Sequence, residues 1–257
     1  MALLVCRLLG YNEDTNIMTH KDITILHEDN HIIVVLKPQG VPSQSDKTGD
    51  KDMLTLIKEL IKERDNKPGN VYTGLVHRLD RPTGGVMVFA KTSKAAARLC
   101  EDIKAGEVSK KYLAVVVGEP RERTARLRHF LVKDSGNNFV TAHIAKRPES
   151  KEAILDYKAL EYADRITLLE VKLITGRSHQ ARVQLAKINC PIFGDTKYGG
   201  DTLAKGHSLA LWAYELAFEH PVKKDTMVFK VYPPTDIAPW KYFDLEKHIK
   251  IEVPTDN

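Results

Sequence analysis

HRLDRPTGG, residues 77–85, is followed directly by the apolar run VMVFA of residues 86–90. Proline, threonine and glycine pairs are typical of turns, and a short apolar run after a turn predicts a buried strand. Asp80 is therefore expected on a loop just before that strand, between the guanidinium groups of Arg78 and Arg81. Fixed positive charge favours the ionised form of a carboxylate. Catalytic groups are common on loops carried by a rigid scaffold, but most ion pairs are structural, so this segment alone leaves both interpretations open.

The hydrophobic pattern around this segment predicts an α+β fold. Apolar β-branched runs separated by Glu-Asp-Asn predict a hairpin, and apolar residues at three- and four-residue spacing after Met53 predict an amphipathic helix. A second helix is expected to begin with Ser93 as its N-cap and to end near Gly106, and a third to span residues 179–188. Strands are expected over residues 23–26, 32–36, 86–90, 112–117, 126–132, 139–144, 154–160, 166–174, 209–218 and 227–232. This order predicts a mixed, largely antiparallel central sheet with flanking helices.

Composition excludes several classes of protein. The chain has 257 residues and contains no run of 18 or more apolar residues, so we expect no transmembrane helix and no membrane partner. The first residues lack the charged region and cleavage site of a signal peptide. Cys6, Cys100 and Cys190 are scattered and odd in number, which predicts reduced, buried thiols and a cytoplasmic location. The expected organisation is a poorly ordered extension over residues 1–20, a single domain over 21–250, and a flexible tail over 251–257.

Positive charge is concentrated in one part of the chain. The whole sequence has a formal net charge of +5. Between Lys104 and Lys151 there are eleven basic and five acidic residues, so this window holds the entire surplus. Such a concentration suits a polyphosphate backbone, although a solvated loop without a partner has the same composition.

The segment around Asp80 resembles the signature of the RluA-type pseudouridine synthases, in which His-Arg-Leu-Asp is followed by Arg, Thr and a Ser-Gly pair. Other blocks similar to those of the family follow in the family's order. They are EDNHIIVVLKPQG at 28–40, KKYLAVV at 110–116, LITGRSHQARVQL at 173–185, PIFGD at 191–195 with Tyr198-Gly199, and LALWA at 209–213 with FEHP at 218–221. Gly85, Ala181 and the pair Leu211-Trp212 depart from the usual residues, but none of these changes removes a charged or phenolic group.

The resemblance implies the pseudouridine synthase catalytic fold and an isomerase that acts on RNA. It implies that Asp80 is the catalytic carboxylate, that Arg177 pairs with it, and that Tyr112 lies against the uracil ring. The family often has an S4-type RNA-binding module before this domain. There is too little chain before Ile23 for such a module, so the catalytic domain is expected to work alone, as a monomer.

The implied reaction breaks the N1–C1′ bond of uridine, turns the base and forms a C5–C1′ bond, without a metal or cofactor. Asp80 would trap the sugar covalently or remove a C2′ proton to give a glycal, and both routes stay open. The target base must leave its stack, and Arg78 is expected to fill the space. Further RNA contacts are expected from His77, Lys37, His179, Gln180, Arg182, Lys110, Lys146 and Arg147. For the first five of these, a structural hydrogen bond is an equal alternative.

Three other functions are alternatives to this one. Residues 27–31 fit the zinc-binding motif His-Glu-x-x-His of metalloproteases. That motif needs a helix, whereas the flanking residues predict a hairpin. A glycoside hydrolase needs a second carboxylate in an equally marked block, and the sequence shows none. A catalytically silent RNA-binding protein of the same fold would tolerate loss of Asp80, Tyr112 or Arg177, and all three are present. The RNA substrate, ribosomal or transfer RNA, is left open.

Overall fold

The computed structural model describes residues 18–199 and 206–251. The chain divides into two compact units. Within the described ranges, the first unit contains residues 18–109 and 215–229, and the second contains residues 110–199, 206–214 and 230–251. The predicted single domain over residues 21–250 stays a prediction. The expected extension and tail fall largely on residues 1–17 and 252–257, which lie outside the described residues.

The first unit is built around strands that are buried on both faces. Its elements are a 3-10 helix (His20–Asp22), β1 (Thr24–Glu28), β2 (Ile32–Lys37), α1 (Met53–Arg64), β3 (Gly74–Leu75), β4 (Gly84–Ala90), α2 (Ser93–Ala105), the second half of β10 (Leu211–Glu219) and β11 (Thr226–Lys230). The strand order is β1-β2-β4-β10, with β3 beside β4 and β11 beside β10. Every residue of β2 and β4 is buried, which explains why both read as continuous apolar runs rather than alternating patterns.

The pairing of β2 with β4 fixes where each strand ends. The two strands are antiparallel, with Ile32 opposite Ala90 and Lys37 opposite Gly85. Gly85 has a φ of +125°, a region that favours glycine. The family usually has serine at this position, and in this chain the backbone adopts a conformation that favours glycine. As a result, the last residue of β2 and the segment after Asp80 are held side by side.

The second unit is built around a set of antiparallel strands. Its elements are β5 (Ser109–Val117), β6 (Thr124–Asp134), β7 (Phe139–His143), β8 (Lys151–Ala163), β9 (Ile166–Leu173), α3 (Gln180–Lys187), the first half of β10, a 3-10 helix (Trp240–Tyr242) and α4 (Leu245–His248). The strand order is β5-β9-β8-β6-β7. Val183 of α3 packs in one apolar cluster with side chains of the strands, namely Leu131, Val140, Ala142 and Ala153. This contact packs the middle of α3 against the strands of the unit.

The fold class and most elements agree with the sequence predictions. The α+β class, the hairpin and the three expected helices are confirmed. The prediction for the start of α2 is wrong by one residue, because Thr92 is the N-cap and its hydroxyl accepts a hydrogen bond from Ala95 N at 3.1 Å. The expected burial of Cys100 is also wrong, since this thiol is exposed, whereas Cys190 is buried; Cys6 lies outside the described residues. The short elements β3 and α4 and the two 3-10 helices had not been predicted.

The sequence predicts no transmembrane helix, and the helices to compare with this prediction are α1 to α4. Within residues 18–199 and 206–251, none of the helices has the combination of length and apolar character that crossing a bilayer requires.

The N-cap of α2 gives a direct test of this description. Replacing Thr92 by Ala should lower the free energy of unfolding by about 1 kcal/mol, because Ala95 N loses its acceptor. Ser93→Ala, one residue later at an exposed helical position, should change it by less than about 0.5 kcal/mol. Urea unfolding followed by circular dichroism measures both values. A larger loss for Ser93→Ala than for Thr92→Ala would contradict the assignment.

Candidate active site

Asp80 opens a four-residue turn that leads into β4. Thr83 N donates to Asp80 O at 2.9 Å, which closes the turn. The buried hydroxyl of Ser43 accepts from Leu79 N at 3.1 Å and lies 2.8 Å from Leu79 O, to which it donates. The Asp80 side chain is half-buried. The prediction that Asp80 lies on a loop just before a buried strand is confirmed, and the main chain on its N-terminal side is fixed by a side chain that the sequence did not single out.

Lys37 fixes the main chain on the other side of Asp80. Its side chain is completely buried. Its ammonium donates to Thr83 O at 2.7 Å, to Pro38 O at 2.9 Å and to Arg81 O at 3.1 Å. An ammonium has three donors, so each finds an acceptor, and two of the three acceptors belong to the turn that Asp80 opens. Of the two alternatives for Lys37, a phosphate contact and a structural hydrogen bond, the structure shows the second.

The same burial makes Lys37 unusual in its acid–base behaviour. Burial lowers the pKa of Lys37 to about 7, although the charge of Asp80 acts to raise it, and the charge of Arg81 lowers it further. Near neutral pH, Lys37 is therefore the neutral amine in a fraction of the molecules. The amine has one hydrogen-bond donor fewer than the ammonium, and it lacks the positive charge that interacts with Asp80. The number of hydrogen bonds that Lys37 donates to the Asp80 turn should therefore change near neutral pH.

Arg81, one of the two guanidinium groups next to Asp80 in sequence, is engaged with other partners. It donates to Gly40 O at 2.8 Å and to Thr48 Oγ1 at 2.9 Å, and it forms an ion pair with Asp50. The hydrogen bond from Arg81 lowers the pKa of Asp50. Arg81 therefore joins the Asp80 turn to the loop of residues 40–50.

His77 and Arg78, the first two residues of the signature, differ in exposure. His77 is buried, and its Nε2 accepts from Val88 N at 3.1 Å, so this imidazole shows the structural alternative. Arg78 is exposed, as a side chain that enters an RNA stack must be.

In the second unit, Gln180 organises the turn that carries Arg177. Its Oε1 accepts from Arg177 N at 3.0 Å and from Thr175 Oγ1 at 2.7 Å, while its Nε2 donates to Ile154 O at 2.9 Å. The Gln180 side chain is buried and plays the structural role. Arg177 is exposed, and its Nε donates to Glu152 O, at the beginning of β8, at 3.0 Å.

Arg182 is held inside the second unit by an acid. Its guanidinium binds the carboxylate of Asp195 at two points, with Nε–Oδ2 and Nη2–Oδ1 distances of 2.8 and 2.7 Å. The exposed fractions of the two side chains are 8% and 0%. A buried arginine whose fork is bound at two points is a structural group, so Arg182 is not available to a phosphate. Arg182 also lies 5.2 Å from the ring centroid of Tyr198.

His179 is the N-cap of α3 and has a φ of +52°, which is uncommon for a residue other than glycine. Its Nδ1 lies 2.6 Å from the hydroxyl of Tyr198, within hydrogen-bond distance. Both side chains are half-buried. Backbone outliers of this kind gather at functional sites and are kept in place by surrounding contacts.

The remaining predicted residues lie on the second unit at different depths. Tyr112 is buried in β5, opposite Val171 of β9. Lys110 is half-buried, and burial lowers its pKa. Lys146 and Arg147 are exposed on the turn after β7.

Asp80 belongs to the first unit, whereas Tyr112 and Arg177 belong to the second. The expected pairing of Asp80 with Arg177, and the catalytic roles of all three, stay predictions.

The string His-Glu-x-x-His at residues 27–31 is not helical. His27 lies in β1, His31 lies just before β2, and the ring of His27 packs 5.9 Å from that of Phe229. The predicted hairpin is therefore correct, and this string has none of the geometry of a helical zinc motif. Within the described residues, no group of three or more potential metal ligands comes together.

Comparison with known proteins agrees with this fold and these blocks. Residues 31–187 match a family model described as RNA pseudouridylate synthase. This range includes the Asp80 turn, Tyr112 and the Arg177 turn, and it covers more than half of the chain. The chain belongs to this family, the RNA pseudouridine synthases, which are isomerases that convert uridines in RNA to pseudouridine.

Individual relatives extend the match over most of the chain. The chain is 34% identical over 240 residues to the ribosomal large subunit pseudouridine synthase D of Xanthomonas campestris pv. campestris, covering 84% of this chain and 67% of that protein. It is 35% identical over 252 residues to an uncharacterized RNA pseudouridine synthase of Aquifex aeolicus, covering 88% and 74%. The structure of human RNA pseudouridylate synthase domain containing 4 matches with a TM-score of 0.69 and 25% identity, covering 82% of this chain and 88% of that chain.

The pKa of Lys37 predicts how stability depends on pH. Between pH 7 and its ordinary value of 10.5, the unfolded chain binds a proton at Lys37 that the folded chain lacks, so this group makes the free energy of unfolding rise with pH. Relative to Lys37→Met, the free energy of unfolding of the wild type should rise by about 2 kcal/mol between pH 7 and pH 9. Well below pH 7 this difference should no longer depend on pH, because Lys37 is then protonated in both the folded and the unfolded chain.

Urea unfolding of both proteins across this pH range measures the difference. Lys58→Met, which alters an exposed lysine of α1, serves as the control and should show no such rise. If the difference in the free energy of unfolding between the wild type and Lys37→Met stayed constant from pH 7 to pH 9, the lowered pKa of Lys37 would be contradicted.

Proposed function

We propose that this enzyme isomerises uridines of ribosomal RNA and that Asp80 is its catalytic carboxylate. The observation that carries the proposal is the way the Asp80 turn is held. Ser43 binds the main chain before Asp80, and the buried ammonium of Lys37 binds it after Asp80. A carboxylate that attacks or deprotonates a sugar needs a fixed position, and a main chain bound on both sides supplies it. The relative from Xanthomonas campestris, whose name specifies the large ribosomal subunit, supports this class of RNA.

In the proposed reaction, Asp80 acts on the ribose of a flipped uridine. As the N1–C1′ bond breaks, positive charge develops on the sugar, and a carboxylate stabilises or traps it. In the alternative route the carboxylate removes a C2′ proton and later returns it. In both routes the base rotates, a C5–C1′ bond forms, the C5 proton leaves and N1 gains a proton, so the product is an isomer.

Two residues of the second unit support this chemistry in the proposal. Arg177 would orient the carboxylate, because a guanidinium fork matches its two oxygens. Tyr112 would lie against the uracil ring, with its hydroxyl near C5, where a proton must leave. No metal or cofactor has a role in this scheme.

The RNA contacts in the proposal come from side chains that reach the surface. Arg78 would occupy the stack that the target uridine leaves. Lys146 and Arg147 would contact phosphates, with smaller contributions from the half-buried Lys110 and His179. His77, Lys37, Gln180 and Arg182 have internal partners and would act by holding the loops in place. We further propose that the enzyme is a cytoplasmic monomer.

Two alternatives give different outcomes in one experiment. Transfer RNA is the alternative substrate, and a catalytically silent RNA-binding protein is the alternative function. Carbodiimide-based mapping of pseudouridine in total RNA, from cells with and without the gene, separates them. A site in ribosomal RNA that depends on the gene supports the proposal, and a site only in transfer RNA assigns the other substrate. No dependent site in any RNA would contradict catalysis.

Asp80→Asn tests the assigned residue. This change keeps the shape of the side chain but removes its charge, so pseudouridine formation should fall at least about a thousandfold. RNA affinity should stay within about twofold, since phosphate contacts lie on other residues. Single-turnover assays and fluorescence anisotropy measure the two effects. Asp225→Asn, at an exposed position of the same unit, should retain full activity. Wild-type rates for Asp80→Asn would refute the assignment.

The basic window can be tested by its salt dependence. Lys146→Gln together with Arg147→Gln should weaken RNA binding and lower the salt slope of log K by about 0.7 to 0.9 for each phosphate that the protein no longer neutralises. Lys58→Gln with Lys94→Gln removes the same charge from exposed positions of the first unit and should leave the slope unchanged. Equal effects of the two pairs would show that only net charge matters.

A further inference from the structure

Phe139 is an aromatic side chain exposed at the tip of a hairpin. It is the first residue of β7 and retains 36% of its surface. Its neighbours Asn138 and Thr141 are exposed and polar. Exposing a phenyl ring to water is unfavourable, and burial of its free face against a partner would remove that cost.

The ring of Phe139 rests on a side chain that is itself firmly held. The ring centroids of Phe139 and Tyr198 are 4.9 Å apart, with planes tilted by 44°. The Tyr198 hydroxyl accepts from Val140 N at 3.0 Å, and Tyr198 N donates to Asp195 Oδ1 at 3.1 Å. Because Tyr198 is bound at both ends, Phe139 has a rigid support.

The row of rings continues to the turn that carries Arg177. The ring of His179 lies 5.7 Å from that of Tyr198 and meets it edge-on at 67°. Phe139, Tyr198 and His179 therefore form a row, here called the aromatic row. It leads from the β6–β7 hairpin to the turn at Gly176–His179, and all of it lies within the second unit.

A lysine lies beside the exposed end of the aromatic row. Lys197 Nζ donates to the carbonyl of Asn138, the residue before Phe139, at 2.8 Å. Lys133 of β6 is paired with Val140, so its side chain lies on the opposite face of the hairpin from Phe139, and the residue directly opposite Phe139 is Asp134. The acid at the tip, Asp134, accepts hydrogen bonds from the hairpin turn, from Gly136 N and from the side chain of Asn137. The hairpin also lies in the window with six more basic than acidic residues.

We propose that the aromatic row is a stacking surface for an unpaired nucleotide of the RNA substrate, with Phe139 as the residue that contacts the base. A single exposed aromatic face that rests on a rigid ring, with Lys197 beside it, suits stacking on a base whose phosphate the lysine can contact. A protein partner would require a larger apolar area around Phe139 than Asn138 and Thr141 provide. The inference rests on the proposed function, because it assumes that RNA is the ligand.

Binding assays with two RNAs test the inference without relying on catalysis. The probes are a fluorescein-labelled stem-loop with a uridine-rich loop and a blunt duplex of the same length. Phe139→Ala should raise the Kd for the stem-loop by at least about fivefold, which is the low end of stacking losses, while the Kd for the duplex changes by less than about twofold. Phe139→Leu keeps an apolar contact with Tyr198 but lacks a π-face, so it should show the same selective loss. Phe139→Trp should restore wild-type affinity.

Tyr162→Ala is the matched control, because it removes another exposed ring of the second unit, 53% exposed at the far end of β8. It should leave both affinities unchanged. Unchanged stem-loop binding by Phe139→Ala, or an equal loss for both RNAs, would overturn the inference. Pseudouridine formation by the wild type is measured separately. If the enzyme is active but the Phe139 variants bind both RNAs as the wild type does, only the role of the aromatic row in RNA binding is refuted. An inactive enzyme would refute the proposed function.

Discussion

The buried ammonium of Lys37 is the contact on which the candidate active site depends. It joins the end of β2 to the turn before β4 through three main-chain carbonyls, two of them in the Asp80 turn. Taking a charge out of water is costly unless hydrogen bonds replace the lost solvent, and here every donor is used. A buried charged side chain therefore holds the turn of the residue that is proposed to do the chemistry.

Much of the fold could be predicted because the pattern of apolar residues determines it. The continuous runs in β2 and β4, the spacing in α1 and the turn residues after Asp80 each gave the correct element. Element ends were less predictable. Thr92 and Ser93 are both good capping residues, and only the hydrogen bond to Ala95 N decides between them.

The candidate site was less predictable, because the sequence specifies which groups are present but not which of them face inward. Lys37, Gln180 and Arg182 have side chains that suit RNA, yet all three are buried with internal partners. Ser43 gave no signal, since a lone serine has no periodicity and belongs to no block. Phe139 was expected only as a strand residue, and its stacking on Tyr198 joins positions far apart in the chain.

The ion pair of Arg182 with Asp195 has an evolutionary consequence. Removing one partner of a buried pair leaves an uncompensated charge and costs about 3 to 5 kcal/mol, whereas replacing both by apolar residues of similar volume is often neutral. Single changes at either position should therefore be eliminated, and a paired change should survive only where residue 195 still accepts from Lys197 N and Tyr198 N. Among descendants of a common ancestor, we expect these two positions to be substituted together.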